Sequence, residues 1–153
     1  MAKEYYKAEY IIINKEKYIG QKNPIYRSSW ECRVCTLFDT NPKIIKWGFE
    51  CVEIPYVNII DKKIHKYYPD FYVELIDKNN KIKKIIIEVK PYKQTIIPKQ
   101  PKKITTKSQK RYMIESQTFI INQCKWKYAK EYCNKIGYEF QILTENDIFN
   151  EGV

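Results

Sequence analysis

HKYYPDFYVELIDKNNKIKKIIIEVKPYKQ, residues 65–94, contains two apolar runs separated by a polar turn. Alternate residues of each run share one face of an extended strand, namely Phe71, Val73 and Leu75 in the first run and Ile85, Ile87 and Val89 in the second. These faces oppose each other only if paired residue numbers sum to an even value, which pairs Phe71 with Ile87 and Val73 with Ile85. The stretch therefore predicts a β-hairpin, closed by a three-residue loop over residues 78–80 or by a bulge.

The same register pairs Asp70 with Glu88 and places both, with Lys90, on the second face of the hairpin, where neighbouring Cβ atoms lie about 5 Å apart. Two carboxylates and the main-chain carbonyl of Val89 suit a hard divalent ion that keeps several waters. Such an ion activates water and neutralises charge on a phosphodiester. Lys90 is then placed to orient the nucleophile or to stabilise the developing charge. The alternative is a cross-strand salt-bridge cluster with no catalytic role.

An acidic residue two positions before a lysine occurs twice, as Asp61 with Lys63 and as Glu88 with Lys90. In a lysine-rich chain such a triplet arises easily by chance. The first pair lies in a polar connection, whereas the second ends an apolar strand and faces an aspartate that follows a proline. The context therefore favours Glu88 and Lys90 as the functional pair.

The flanking segments predict an α+β fold with helices packed on a mixed sheet. Residues 27–42 have helical spacing, residues 46–60 favour one strand with an edge or bend at Pro55, residues 108–137 favour one or two helices ending at Gly137, and residues 138–143 favour a strand. Thr144 is expected to cap a short terminal helix. We expect one domain over residues 1–153, with an irregular lead-in or short strand over residues 1–25 and a core over residues 26–147.

Composition limits the class of protein. The chain has 153 residues, enough for one core without disulfides. It has no cationic stub followed by an apolar run and no apolar stretch of about 18 residues, so we expect a soluble, non-secreted protein with no membrane partner. Five cysteines are an odd number, which favours reduced thiols in the cytosol. Cys32 and Cys35 form a zinc-like CxxC, but their helical spacing favours buried or half-buried thiols.

The charge pattern favours a polyanionic partner. The net charge is +10, and residues 90–113 contain eight Lys or Arg residues without any Asp or Glu. We expect this segment to hold double-stranded DNA by its phosphates, without reading sequence. The candidate contacts are Lys93, Gln94, Lys102, Lys103, Lys107, Lys110 and Arg111. The alternative is a solvated basic loop, in which Gln94 is an ordinary polar residue.

Several other chemistries lack the residues they require. His65 is the single histidine, which excludes most histidine-based metal or nucleophile schemes, and strand alternation turns it away from Asp70 toward a structural role. The four glycines are scattered, so no phosphate-binding glycine loop exists and a nucleotide cofactor is not expected.

Longer motifs resemble a known superfamily. Asp70, followed by Glu88, Val89 and Lys90 on the next strand and preceded by Glu31 on a helix, resembles the PD-(D/E)xK nucleases, whose restriction-endonuclease-like core has the order αβββαβ. Within that superfamily, YRSSWE, DTNPKIIKW, IPY, HKYYPDF, IEVKP, KW and TEND resemble the head completion nucleases of T-even-type tailed phages over most of residues 26–147.

The resemblance implies a metal-dependent DNA endonuclease in which water attacks phosphorus and the 3′ oxygen leaves. It implies that Asp70 and Glu88 bind Mg²⁺ or Mn²⁺, that Lys90 assists the attacking water, and that Glu31 completes the acidic site. Glu31 has a structural alternative, as a carboxylate in the first turn of a helix. Phage head or portal proteins would be partners, and assembly would take place in the host cytoplasm.

Two other functions fit the same fold. One is a junction resolvase or the end-cleaving subunit of a transposase. The other is a non-catalytic virion protein that seals or reinforces the portal vertex. The presence of Asp70, Glu88 and Lys90 together argues against a decayed site, because chance substitution would tend to remove one of them.

Overall fold

A computed structural model describes residues 7–148. The strands are β1 (Ala8–Glu9), β2 (Ile25–Tyr26), β3 (Ile44–Phe49), β4 (Ile54–Val57), β5 (Ile64–Tyr67), β6 (Phe71–Ile76), β7 (Ile82–Val89) and β8 (Glu139–Leu143). The helices are α1 (Ser29–Thr40), α2 (Thr106–Ile136) and α3 (Glu145–Ile148), and a 3₁₀ turn spans Tyr92–Gln94. The first six residues of the expected lead-in lie outside the described residues.

The central sheet has four strands in the order β3-β6-β7-β8. β6 pairs antiparallel with both β3 and β7, whereas β8 returns parallel to β7 after α2 crosses over. Taken along the chain, α1, β3, β6, β7, α2 and β8 follow the expected αβββαβ order. The predicted α+β fold with a mixed sheet and flanking helices is therefore confirmed.

The β6–β7 hairpin has the register that the apolar pattern predicts. Phe71 lies opposite Ile87, and Val73 lies opposite Ile85. The Asp77 N–H donates to the Lys81 carbonyl at 2.8 Å, which leaves a three-residue loop, and its last residue, Asn80, has a φ of 62°. Asparagine tolerates this left-handed conformation better than most residues, so the Asn-Asn pair fits a three-residue loop as well as the shorter turn it usually signals.

Both faces of the sheet are buried. On one face, Val34, Cys35 and Phe38 of α1 pack against a cluster that includes Trp47, Phe71, Val73, Ile85, Ile87 and Val89. On the other face, Trp126, Ala129 and Cys133 of α2 pack against a cluster that includes Ile54, Tyr67, Tyr72 and Ile86. The last five residues of β7 are consequently all buried, as expected for a central strand covered by helices on both sides.

The prediction of one strand over residues 46–60 was wrong. β3 ends at Phe49, and Glu50 adopts a left-handed φ of 47° while its N–H donates to the Asp70 carbonyl at 2.9 Å. The chain then leaves the central sheet, and β4 pairs with β5 in a separate antiparallel hairpin. A positive φ at a glutamate has no signal in a propensity pattern, so the strand break was not foreseen.

The segment over residues 108–137 belongs to a single helix. α2 has 31 residues, begins with a capping box between Thr105 and Ser108, and ends at Gly137, whose φ is 76°. After β8, the Thr144 hydroxyl accepts from the Asn146 N–H at 3.3 Å and thereby caps α3, as expected. None of the helices within residues 7–148 combines the length and the apolar content needed to cross a bilayer.

The segment before α1 packs against the core. Tyr10 and Ile12 are buried in the cluster beneath α1. The fully buried Asp39 carboxylate of α1 accepts hydrogen bonds from the Tyr10 hydroxyl at 2.9 Å, the Ile13 N–H at 2.7 Å and the Asn14 N–H at 3.0 Å. Part of the expected lead-in, residues 10–14, therefore packs against the core.

The cysteines are free thiols. Cys32 and Cys35 lie one turn apart on α1, and Cys35 is buried in the core. Burial raises the pKa of the Cys35 thiol, which makes a thiolate ligand unfavourable there. This placement fits the expectation of structural thiols.

Candidate active site

Asp70 and Glu88 meet at the end of the β6–β7 hairpin. Asp70 immediately precedes β6, and its Oδ2 accepts a 2.7 Å hydrogen bond from the Val89 N–H. Glu88 lies beside Val89 in β7 and is only 5 % exposed. The Asp70 side chain thus reaches across to the strand that carries Glu88, because that strand offers a main-chain donor at this position.

The two carboxylates influence each other. Burial raises the pKa of Asp70 well above its ordinary value, and the negative charge of Glu88 raises it further. The Val89 N–H and the Lys90 ammonium act in the opposite direction. Two neighbouring acids, one buried and one half-buried, resist simultaneous ionisation unless a cation compensates them, so the electrostatics of this pair favour a cation.

Lys90 supplies the nearest ammonium group to Glu88. Its Nζ lies 3.4 Å from Glu88 Oε1, and its side chain is 28 % exposed, so water and substrate have access to it. The Lys90 N–H donates to the Leu143 carbonyl of β8 at 2.9 Å, which fixes the backbone on the far side of β7. The expected grouping of Asp70, Glu88 and Lys90 is present.

Tyr67 supports Glu88 from the neighbouring hairpin. Its hydroxyl donates to Glu88 Oε2 at 2.7 Å, and the residue is 4 % exposed. Burial, together with the charge of Glu88, raises the pKa of Tyr67, so the phenol stays protonated and remains a donor. Each Glu88 oxygen therefore has one partner, Lys90 for Oε1 and Tyr67 for Oε2. The sequence pattern gave no role to this tyrosine, although it lies three residues before Asp70.

Glu31 lies in the first turn of α1 and has a structural task there. Its Oε2 accepts from the Arg27 N–H at 2.8 Å, and its own N–H donates to the Ser28 hydroxyl at 3.1 Å. Burial raises the pKa of Glu31, while the positive charges of Arg27 and Lys90 lower it. The Glu31 charge in turn raises the pKa of Asp70, so the two carboxylates are electrostatic neighbours.

The described part of the chain contains no preformed group of three acidic ligands. Within residues 7–148, no three His, Cys, Asp or Glu side chains are grouped closely enough to hold a metal ion. Glu31 therefore does not form a group of three ligands with Asp70 and Glu88, and its role as a metal ligand stays a prediction.

The donors that are present fit a hard cation. Asp70 and Glu88 offer carboxylate oxygens, and the Val89 carbonyl points toward the Asp70 side of β7, because the N–H and C=O of a strand residue face the same neighbour. All three donors are oxygens. Mg²⁺ binds to few protein oxygens and keeps several waters, so this small set suits it better than it suits a softer metal.

The expected DNA contacts occupy one continuous basic segment after Lys90. Lys93 and Gln94 lie in the 3₁₀ turn, Lys102 and Lys103 lie in the following loop, and the remaining three, Lys107, Lys110 and Arg111, lie in the first turns of α2. All seven side chains are exposed. Lys93, Gln94 and Arg111 also line a cavity of about 520 Å³ between the loop and α2, and Arg111 pairs with Glu115 at 3.0 Å.

Lys125 of α2 also faces the site, which periodicity alone did not reveal. Its Nζ lies 5.6 Å from the centre of the Tyr67 ring and 5.9 Å from that of Tyr56. Burial lowers the pKa of Lys125, whereas the charges of Glu88 and Asp70 raise it. The available signal was positional, because Lys125 follows the buried Asn122 by three residues and so falls on the same helix face.

The second acidic triplet belongs to a different part of the fold. Asp61 lies in the turn between β4 and β5, where its Oδ1 accepts from the Lys63 N–H at 2.9 Å and its Oδ2 lies 2.6 Å from His65 Nε2. His65 and Asp61 therefore close this turn, which fits the structural role expected for the histidine.

Comparison with known proteins assigns the chain to a family. Residues 41–145 match the family described as TnsA-like endonuclease N terminal. The chain is also 37 % identical to the head completion nuclease of Enterobacteria phage T4 over 144 residues, which cover 94 % of this chain and 93 % of that protein. The restriction-endonuclease-like fold and the resemblance found in the sequence motifs are thereby confirmed. The chain therefore belongs to the TnsA-like endonuclease N-terminal family and is related along nearly its whole length to a phage head completion nuclease.

Proposed function

We propose that this nuclease is a Mg²⁺-dependent or Mn²⁺-dependent endonuclease that hydrolyses phosphodiester bonds of double-stranded DNA during phage head completion. The observation that carries the proposal is the neighbouring pair of the half-buried Asp70 and the buried Glu88, with Lys90 Nζ 3.4 Å from Glu88. Two acids whose ionisation calls for a cation, beside a partly exposed ammonium group, suit the binding and cleavage of a phosphodiester.

Each residue has a distinct part in this proposal. Asp70, Glu88 and the Val89 carbonyl would hold the ion, which would supply Lewis acidity and positive charge at the phosphate. Tyr67 fixes the orientation of Glu88. Lys90 orients the attacking water or neutralises charge on the phosphate oxygens. The water oxygen bonds to phosphorus as the bond from phosphorus to the 3′ oxygen breaks, leaving a 5′ phosphate and a 3′ hydroxyl.

DNA would approach along the basic segment that follows Lys90. Its exposed cations contact phosphates and impose no sequence preference. The extent of the match to the T4 head completion nuclease favours head completion over junction resolution or transposition. Head or portal proteins would then be partners, and the protein would act in the host cytoplasm during assembly.

Plasmid cleavage tests the central proposal. Supercoiled plasmid is incubated with the wild type and with Asp70→Asn, Glu88→Gln or Lys90→Ala, in Mg²⁺, Mn²⁺ or EDTA. We expect cleavage by the wild type only with metal, and a loss of about 100-fold or more in each variant.

The matched control is Asp61→Asn with Lys63→Ala, which changes the other acidic triplet and is expected to leave cleavage intact. If the wild type cuts no form of DNA with either metal, and the Asp70→Asn protein still completes phage heads, the function is structural.

Glu31→Gln separates the two roles of Glu31. Glutamine retains an acceptor for the Arg27 N–H, so we expect folding stability to change little. If Glu31 completes the acidic site, cleavage falls at limiting Mg²⁺ and recovers as Mg²⁺ is raised. Unchanged cleavage at every Mg²⁺ concentration would assign Glu31 to the helix terminus alone.

A further inference from the structure

Lys125 is the half-buried lysine of α2 that faces the acidic pair. It follows Asn122 by three residues and precedes Ala129 by four; both of these residues are buried, Ala129 in the cluster between α2 and the sheet. Lysine at such a position is unusual, because its ammonium loses water when the helix packs. Its presence on this face requires a compensating interaction.

Two aromatic rings hold the ammonium group. Nζ lies 5.6 Å from the Tyr67 ring centre and 5.9 Å from the Tyr56 ring centre, within the range of a cation–π contact. Tyr67 also donates its hydroxyl to Glu88 Oε2 at 2.7 Å. One side chain therefore positions both the carboxylate and the ammonium, which ties Lys125 to the site by direct contact.

The ammonium retains unused donors. Among residues 7–148, Lys125 Nζ forms no ion pair within 4.0 Å and donates no hydrogen bond to an oxygen, whereas Lys90 is paired with Glu88. A partly buried ammonium with three N–H donors and only ring faces for partners is prepared to receive an anion. Burial lowers the pKa of Lys125 and the positive charge of Lys90 lowers it as well, whereas the charges of Glu88 and Asp70 raise it.

The charge balance of the site indicates that the anion bound by the Lys125 ammonium is a phosphate of the DNA. In the proposed nuclease, a divalent ion held by Asp70 and Glu88 would offset their charges, and Lys90, released from its pair with Glu88, would offset the single charge of a phosphodiester. When the attacking water passes a proton to bulk solvent, the resulting hydroxide would bring a further negative charge onto the phosphate oxygens. A second cation is needed at that stage, and Lys125 is the residue placed to supply it.

We propose that Lys125 is a second catalytic lysine, whose ammonium binds a non-bridging oxygen of the scissile phosphate from the α2 side of the site. This inference rests on the proposed nuclease function. It adds to that function a phosphate contact that comes from the helix and is held in place by Tyr56 and Tyr67.

Three variants test the role of the charge. Lys125→Met keeps an unbranched apolar side chain over the two rings and removes the ammonium. Lys125→Arg keeps the charge. Lys127→Met removes an exposed lysine two positions along the same helix and serves as the matched control. The measurements are kcat and KM for cleavage of a DNA duplex at saturating Mg²⁺, Mn²⁺ affinity without DNA, and thermal unfolding.

We expect Lys125→Met to lower kcat by about 100-fold with little change in KM, because the contact strengthens as charge develops. Its Mn²⁺ affinity should be equal to or higher than that of the wild type, since a nearby positive charge is gone. Lys125→Arg should keep at least about a tenth of the wild-type kcat, and Lys127→Met should stay within about twofold.

Other outcomes overturn the inference. If Lys125→Met cuts within about threefold of the wild type, Lys125 does not contact the reacting phosphate. If its cleavage falls only in proportion to lost Mn²⁺ binding, Lys125 is a structural residue. If the Met variant does not fold, Lys125→Gln and Lys125→Arg decide the matter, and equal loss in both argues against a role for the charge. A wild type that cuts no DNA overturns the proposed nuclease function and this inference together, whereas an active wild type with an active Lys125→Met overturns this inference alone.

Discussion

Replacing Tyr67 with phenylalanine removes the one hydroxyl that holds Glu88 from the neighbouring hairpin. The ring remains, so the packing in the cluster beneath α2 and the contact with Lys125 are preserved. Glu88 Oε2 loses its 2.7 Å donor and remains in a site that is 5 % exposed, where water replaces the hydroxyl poorly. The substitution therefore isolates a single hydrogen bond to a buried carboxylate.

The cost follows from the geometry of this bond. A hydrogen bond to a charged group contributes about 1.5–3 kcal/mol, and both partners here are buried. For a chain of this size, 1 kcal/mol shifts the midpoint of thermal unfolding by about 2–4 °C, so we expect the variant to lose roughly 3–12 °C. Support from an adjacent side chain is worth about 10–100-fold in metal affinity or activity, and we expect cleavage to fall within that range.

Urea unfolding in EDTA measures the stability change, and plasmid cleavage measures the activity. Tyr72→Phe is the control, because the Tyr72 hydroxyl donates to Glu74 Oε1 at 2.8 Å and Glu74 is only half-buried. We expect that control to lose about 1 kcal/mol and to cut normally. A folded Tyr67→Phe protein whose stability lies within about 0.5 kcal/mol of the wild type would refute the view that this hydroxyl orients Glu88.

Three further variants probe other parts of the molecule. Asp70→Asn should raise the free energy of unfolding at neutral pH in EDTA. Burial and Glu88 raise the pKa of Asp70, so the folded wild type loses stability as pH rises above the ordinary carboxyl range. Urea titrations should show that the stability gained by Asp70→Asn vanishes below that range. Asp39→Ala should cost about 3 kcal/mol or more in urea unfolding, since the Tyr10 hydroxyl and two main-chain donors lose their acceptor; a loss below about 1 kcal/mol would contradict this. Lys102→Ala with Lys103→Ala should weaken DNA binding equally on all sequences and reduce the salt slope by about 2, whereas a sequence-selective loss would argue against phosphate contacts.

The register of the β6–β7 hairpin and the grouping of residues at its end could be predicted from the local sequence pattern. Alternation of apolar residues predicted the pairing of Phe71 with Ile87, and that pairing is present because a slip of one residue would turn the buried face of each strand toward the wrong side. The same register brought Asp70 toward Glu88 and Lys90. Their grouping follows from the register, whereas their roles in metal binding and catalysis stay predictions.

Contacts between elements that are distant in the chain could not be predicted from the sequence pattern. The strand break at Glu50 depends on its bond to the Asp70 carbonyl, and the packing of the first segment depends on the three hydrogen bonds to Asp39. Neither interaction has a periodic signal, because each joins single residues that are about 20 or more positions apart. Pattern-based prediction therefore gave one strand where there are two and did not indicate that residues 10–14 pack against α1.

The sequence by itself determined the order of the core elements, the register of the central hairpin and the acidic pair at its end, because these follow from side-chain alternation along neighbouring segments. Only the tertiary structure decided that Tyr67 would hold Glu88 and that Lys125 would face the same site. Those contacts form when α2 and the β4–β5 hairpin pack on the central sheet. The face that each element turns inward depends on the apolar side chains that the helix, the hairpin and the sheet bury together.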